Sequence, residues 1–219
     1  MLFEHIISLI APHTCLGCTV EGTLLCRNCV MGLKPAVARC YICQQISPQG
    51  MTCPSCLPQT AVKCVRSLVA YEGAAKDLLW RLKAERARSA AHAIGLHCAA
   101  LVNTDSDTII TYVPTAPIRV RQRGYDQARL IARAVAQYTN MPMAPLLARS
   151  TSNRQVGANK QTRQRQLTNA FRPVNGYMAT KHVILIDDVI TTGSSIRVAG
   201  DVLAASGALS ITAITFAQA

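Results

Sequence analysis

Val183–Ser195, VILIDDVITTGSS, sets two carboxylates and a run of hydroxyls directly behind an apolar tetrad. Four apolar residues, largely β-branched, suit a strand buried on both faces of a parallel sheet. Asp187 and Asp188 then fall at the strand's carboxyl end, where open α/β sheets hold their ligands. Thr191, Thr192, Gly193, Ser194 and Ser195 are small and mostly hydroxyl-bearing, and they open a helical pattern running to about Ala205. Backbone N–H groups at such a turn, backed by the helix dipole, suit a phosphate dianion. An apolar run with one Asp would read as an ordinary strand followed by an N-cap. The acidic pair, Thr-Thr-Gly and paired serines together read as chemistry.

The pattern resembles the 5-phosphoribosyl-1-pyrophosphate (PRPP) motif of type I phosphoribosyltransferases. The resemblance implies that Asp187 and Asp188 meet the ribose hydroxyls and that Thr191 to Ser195 hold the 5-phosphate.

A second chemistry lies upstream. Eight of the ten cysteines form four C-x-x-C knuckles: Cys15/Cys18, Cys26/Cys29, Cys40/Cys43 and Cys53/Cys56. Each knuckle offers two thiolates on one tight turn, and two knuckles complete a tetrahedral zinc site. Gaps of seven and nine residues within successive pairs fit two consecutive zinc ribbons, and a cross-braced pairing would use the same ligands. Disulfides are disfavoured, because nothing marks the chain as secreted. Residues 12–57 hold too few apolar side chains to fold without metal, so metal binding becomes folding energy. Cys64 and Cys98 read as plain buried thiols. The five histidines show no ligand spacing among themselves.

The elements that must position these groups alternate. A strand is expected at Ser67–Tyr71, helices over 74–84 and 87–102, and a strand at Thr108–Val113. A helix from about Tyr125 to Tyr138, a strand at Met143–Leu147 and a last strand at Ile211–Phe216 follow. Strands alternating with helices imply a parallel sheet. Thr115–Gly124 reads as a loop on which Arg119, Arg121 and Arg123 alternate. An extended backbone would put the three guanidiniums on one side, as a leaving pyrophosphate wants. Residues 149–172, rich in Arg, Gln and Asn, read as a basic lid over a polyanionic substrate, or as a solvated basic face or a strip gripping nucleic-acid phosphates.

At 219 residues the chain accommodates one domain and a small module. The expected division is 1–64, an N-terminal helix and double zinc ribbon, and 65–219, the catalytic-type domain. No apolar run reaches the roughly 18 residues of a membrane span. The opening MLFEHIISLIAP carries Glu4 and reads as a helix packed on the body, so a cytoplasmic protein is expected. The net charge of +12 points to anionic partners.

The joint pattern is more specific than its parts. Four knuckles are followed by Tyr71-Glu72-Gly73, Leu82-Lys83, Arg121-x-Arg123-Gly124-Tyr125-x-Gln127, then Gln155-x-Gly157 with Arg163, Leu167 and Phe171, and finally the DDVITTGSS loop. This resembles the competence protein ComF family over nearly the whole chain. It implies an α/β fold, a type I phosphoribosyltransferase-like parallel sheet flanked by helices, preceded by a small N-terminal double zinc-ribbon module. Departures are Tyr125-Asp126 for the usual Phe-Asn, Val113-Pro114-Thr115-Ala116 for a common Pro-Val-Pro-Leu, and Gln166 for a common Asn. The resemblance implies two structural zinc ions, Mg²⁺ and PRPP, with phosphoribosyl transfer to an open acceptor linked to DNA uptake or nucleotide salvage. It equally admits a non-catalytic uptake factor that contacts single-stranded DNA or the uptake machinery.

Overall fold

The computed structural model describes residues 13–85, 87–103, 107–149, 170–174 and 181–219. The expected N-terminal helix, most of the basic 149–172 segment, and Gln155, Gly157, Arg163 and Leu167 lie outside these residues. Strands β1 (Val62–Ala70), β2 (Thr108–Tyr112), β5 (His182–Ile190) and β6 (Ser210–Gln218) form a parallel sheet in the order β1-β6-β5-β2. Two short strands, β3 (Leu147–Arg149) and β4 (Phe171–Pro173), pair antiparallel apart from it. The first strand therefore starts earlier than its apolar pattern announces and takes in Val62, Lys63 and Cys64. The strand expected at Met143–Leu147 is reduced to a parallel bridge between Met143 and Ile110, with β3 following separately.

Six helices accompany the strands among the described residues: α1 (Arg27–Met31), α2 (Gly73–Lys83), α3 (Arg88–Ala99), α4 (Pro117–Arg123), α5 (Gln127–Thr139) and α6 (Ser194–Ala205). Successive strand side chains point to opposite faces, so each strand feeds two cores. Ile110, Ile184, Ile186 and Phe216 pack against Leu78, Ile94 and Ile131 of α2, α3 and α5. Ile109, Val183, Leu185 and Ala213 pack against Ile196, Ala199 and Leu203 of α6. Each fully buried Ile or Leu contributes about 1.5–3 kcal/mol relative to exposure. No described helix is long and apolar enough to cross a membrane.

The cysteines pair consecutively. Cys15, Cys18, Cys26 and Cys29 gather in one group and Cys40, Cys43, Cys53 and Cys56 in another, each with sulfurs within 4.8 Å of one another. Cys18 and Cys26 sulfurs stand 3.7 Å apart, and those of Cys43 and Cys53 3.6 Å. A tetrahedron of thiolates at Zn–S about 2.3 Å has edges of about 3.8 Å. A disulfide would need about 2.05 Å. Within the first group the thiols compete for charge. Burial opposes ionisation of Cys15, yet N–H donors from Cys26, Gly17 and Cys18 bring it down to about 6. Cys29, sharing hydrogen bonds with the sulfurs of Cys18, Cys15 and Cys26, is pushed up to about 12. Four thiolates cannot ionise together here without a cation among them, and the set fits Zn²⁺.

The two groups grip opposite faces of the sheet. Leu24 and Leu25 beside the first join the α2–α3–α5 core, and His97 Nε2 lies 3.1 Å from the Leu25 carbonyl. Tyr41, inside the second, joins the α6 core. The chain between them and within the second group lines the outer edge of β1. Ala36 N–H donates to Leu68 O, Ala70 N–H to Lys34 O and Thr52 N–H to Lys63 O, at 3.2, 2.9 and 2.8 Å. Cys64 donates to Gln49 O at 3.1 Å, and Cys98 is fully buried with its thiol pushed up to about 12. Both are the buried thiols that their isolation suggests.

Elemental analysis of the purified chain should find two zinc ions, one for each group. Cys26→Ser should reduce that to one. Zinc-free, folded wild-type protein would overturn the assignment.

Candidate active site

The register of the sheet creates the crevice. β2 ends at Tyr112, opposite Ile186, whose carbonyl accepts from Val113 N–H at 2.9 Å. β5 continues to Ile190, paired only with β6 over this stretch, through Asp187↔Thr215 and Ile190↔Gln218. After β2 the chain passes through α5 to Met143, outside β2; after β5 it passes through α6 to β6, on the other side. Adjacent strands whose connections diverge leave an open crevice at their carboxyl ends. Asp187 and Asp188 stand on the β5 extension that borders it.

The two carboxylates differ. Asp188 is 6% exposed, and its Oδ2 is buried without a hydrogen-bond partner. Lys83 Nζ stands 3.0 Å from that oxygen, an ion pair off the hydrogen-bonding direction. Asp187 accepts from the Asp188 backbone N–H at 2.9 Å. Loss of water and the neighbouring Asp188 charge hold its carboxyl well above the usual range.

The hydroxyl-rich stretch forms a turn, and the helix begins earlier than its end. Thr191, Thr192 and Gly193 make the turn, and Ser194 and Ser195 already belong to α6. Gly193 is the N-cap, at φ 70°, a left-handed conformation that costs little only without a Cβ. Its carbonyl accepts from Arg197 N–H at 2.9 Å. Thr192 and Ser194 hydroxyls lie 2.9 Å apart. The first N–H groups of α6 have no helical partner, and that of Ser194 donates to Thr192 Oγ1 at 3.4 Å.

The arginines are placed differently from expectation. Thr115–Gly124 is not an extended loop: Pro117 stands in its first turn, and Gly124 closes α4 at φ 83°, donating to Val120 O. At about 100° per residue, Arg119 and Arg123 share a helix face, and Arg121 lies about 200° round from Arg119. The three guanidiniums therefore do not form one row. Arg119 and Arg121 are exposed, and Arg123 Nη1 donates to Gln127 Oε1 at 2.8 Å. Asp126 is spent locally. It caps α5 by accepting from Arg129 N–H at 3.3 Å and binds Thr115 N–H and Oγ1 at 2.9 Å each.

Lys83 stands in the joint sequence pattern, which gave it no role at the site. It ends α2, and the Tyr125 hydroxyl, present where the family pattern has Phe, donates to the Leu82 carbonyl beside it. The available signal was a cation closing a helix, beside Arg81 in the same last turn, in a chain whose acidic pair needed one. Arg149, at the end of β3, donates to Pro114 O at 3.2 Å and lies over the Phe171 ring. It is a second cation near the end of β2.

Residues 122–219 match the phosphoribosyl transferase domain family. The DNA utilization protein YhgH of Escherichia coli strain K12 is 27% identical over 223 residues, covering 88% of this chain and 95% of YhgH. Competence protein ComFC of Bacillus subtilis strain 168 is 25% identical over 210 residues, covering 84% of this chain and 85% of ComFC. A solved structure of glutamine PRPP amidotransferase from B. subtilis, complexed with ADP and GMP, aligns with a TM-score of 0.43 at 21% identity. That alignment covers 58% of this chain and spans 26% of the amidotransferase. The chain is thus similar over most of its length to YhgH and ComFC, and its match to the phosphoribosyl transferase domain follows two four-cysteine groups.

Proposed function

We propose that the crevice binds PRPP with Mg²⁺ and that the protein transfers the 5-phosphoribosyl group to an acceptor. The observation that carries this reading is Asp188. Its buried Oδ2 is ion-paired with Lys83 but accepts no hydrogen bond, and a ribose hydroxyl would supply one. Asp187 offers the neighbouring hydroxyl a partner. Burial and the Asp188 charge beside it raise its affinity for a proton, and an ordered cation or hydroxyl partner would oppose that rise. Thr191, Thr192, Gly193, Ser194 and Ser195 supply N–H and O–H donors for the 5-phosphate. Arg119 and Arg121 are exposed cations for the pyrophosphate side, whereas Arg123 is held by Gln127. Bound Mg²⁺ would neutralise charge developing on the departing pyrophosphate. The chain's own contribution is positioning and electrostatics, and departure through an oxocarbenium-like state requires no covalent nucleophile.

A second reading is favoured by the charge of +12 and by the names of the similar proteins, which concern DNA utilization and competence. In it the exposed α4 arginines bind single-stranded DNA, with PRPP as a ligand or signal. The two readings are compatible, because fold alone does not fix function.

Calorimetry with PRPP and Mg²⁺ should give a saturable heat with wild type. Asp188→Asn and Lys83→Met should each weaken it by about tenfold or more. Undiminished binding in the Asp187→Asn/Asp188→Asn double variant would sink the site.

The acidic pair also predicts a pH signature. Asp187 has a raised folded-state pKa, so the folded protein holds a proton the unfolded chain has lost. Stability falls as pH rises from the unfolded value, roughly 4, through the folded value. Asp187→Asn cannot titrate. Its Tm should match wild type near pH 4 and exceed it at higher pH, by about 2–4 °C per 1 kcal/mol recovered. Equal Tm values at every pH would refute the raised pKa.

For DNA, anisotropy titrations of a labelled single strand should weaken with salt at a log–log slope of roughly −0.7 per phosphate contacted. Arg119→Gln/Arg121→Gln should flatten that slope by about 1.4. A salt-independent signal would remove the second reading.

A further inference from the structure

The second cysteine group touches the phosphate turn. Tyr41 lies between its ligands Cys40 and Cys43 and is 3% exposed. Its ring occupies the space that a side chain at Gly193 would need. A Cβ there would come within 2.5 Å of Tyr41 Cδ2, 3.2 Å of Cε2 and 3.5 Å of Ile190 Cδ1. The left-handed turn thus rests on an aromatic plate delivered by a metal knuckle. The plate is itself fixed. The Tyr41 hydroxyl bonds Thr60 Oγ1, which accepts from Val62 N–H at 3.1 Å. One residue on, Ala61 N–H donates to Asp201 of α6 at 3.0 Å.

A charge arrives by the same route. Arg39, immediately before Cys40, lines a small cavity with Tyr41, Gln44, Ile190 and Thr191. Arg39 Nη1 donates to Gln44 O at 2.9 Å, so the knuckle's own backbone anchors the guanidinium. The first cysteine group packs into the other core, with α2, α3 and α5. It makes an internal control.

We propose that the second cysteine group is a working part of the phosphate turn. Metal bound by Cys40, Cys43, Cys53 and Cys56 fixes Tyr41 beneath Gly193 and Arg39 beside Thr191. Anion binding at residues 191–195 and metal retention at this group therefore strengthen each other. Reciprocity is required of any such coupling between two binding sites. The ligand rests on the reading of the crevice as a PRPP site; the contact between knuckle and turn does not.

The test uses the full zinc-loaded chain. Zinc release to a chromogenic chelator is followed with and without Mg²⁺-PRPP, and hydrogen exchange is mapped over 190–197 and 13–30. PRPP should slow release of one zinc by about tenfold and leave the other unchanged, within the usual range of site-to-site coupling. Tyr41→Ala should loosen exchange over 190–197, leave 13–30 native and lower PRPP affinity by a similar factor. Tyr41→Phe, which keeps the plate, should stay within about twofold on the same scale. Arg39→Gln, a surface change outside the core, should weaken PRPP without loosening the turn. Tyr41→Ala with native exchange over 190–197 would overturn the proposal. So would PRPP that binds wild type yet alters neither release rate. If wild type binds no PRPP, the crevice reading fails, and exchange over 190–197 after removal of the second zinc decides the coupling alone. A turn that stays protected overturns it.

Discussion

The free edge of β1 is the constraint that ties the two parts of this chain together. A parallel sheet needs cover on both faces, and a bare edge strand invites pairing with other chains. Here the cover comes from sequence upstream of the sheet. Residues 34–36 and 52 hydrogen-bond along β1, and bridges from Pro35 to Val69 and Met51 to Cys64 bracket it. These segments have little hydrophobic material of their own. The flanking cysteine groups must hold their shape, and structural zinc in such peptides supplies about 10–16 kcal/mol. Metal binding would therefore stabilise the sheet edge as well as the ribbons. With one group on each face, the edge is clamped rather than capped.

The same clamp explains how the crevice is built at tolerable cost. Two adjacent carboxylates at the end of an apolar strand oppose folding through desolvation and mutual repulsion. Lys83 offsets part of this, and the Tyr125 hydroxyl on Leu82 O fixes the helix end that carries it. The remaining cost appears as the unsatisfied Asp188 Oδ2 and the raised Asp187. Local violations of good packing chemistry concentrate where a ligand is meant to complete them. On the other side of β5, the left-handed Gly193 is held by Tyr41, a residue of the clamp.

Features written in contiguous residues were legible in advance. The apolar strand, acidic pair, hydroxyl turn and following helix occupy one stretch, and each knuckle is complete within four residues. The α4 helix was also written locally, by Pro117 in its first turn and Gly124 just past its end. Alternating arginines masked that signal, because a period of two reads as extended chain. What no local pattern carries is juxtaposition. Lys83 and Asp188 are 105 positions apart, and Tyr41 and Gly193 are 152 apart. The choice between consecutive and cross-braced knuckles is of the same kind, since both use identical ligands and only packing on the sheet separates them.

Those long separations bear on how the parts can fail. A ribbon that served only as a docking surface could lose its metal and leave the crevice intact. The second group has no such freedom: Tyr41 is buried in the same core as Ile190 and Ile196, which flank the turn. Losing the knuckle would open a cavity beneath Gly193, and interiors relax only partly around lost aromatic volume. A turn whose donors must be preorganised to hold an anion is the element least able to absorb that change.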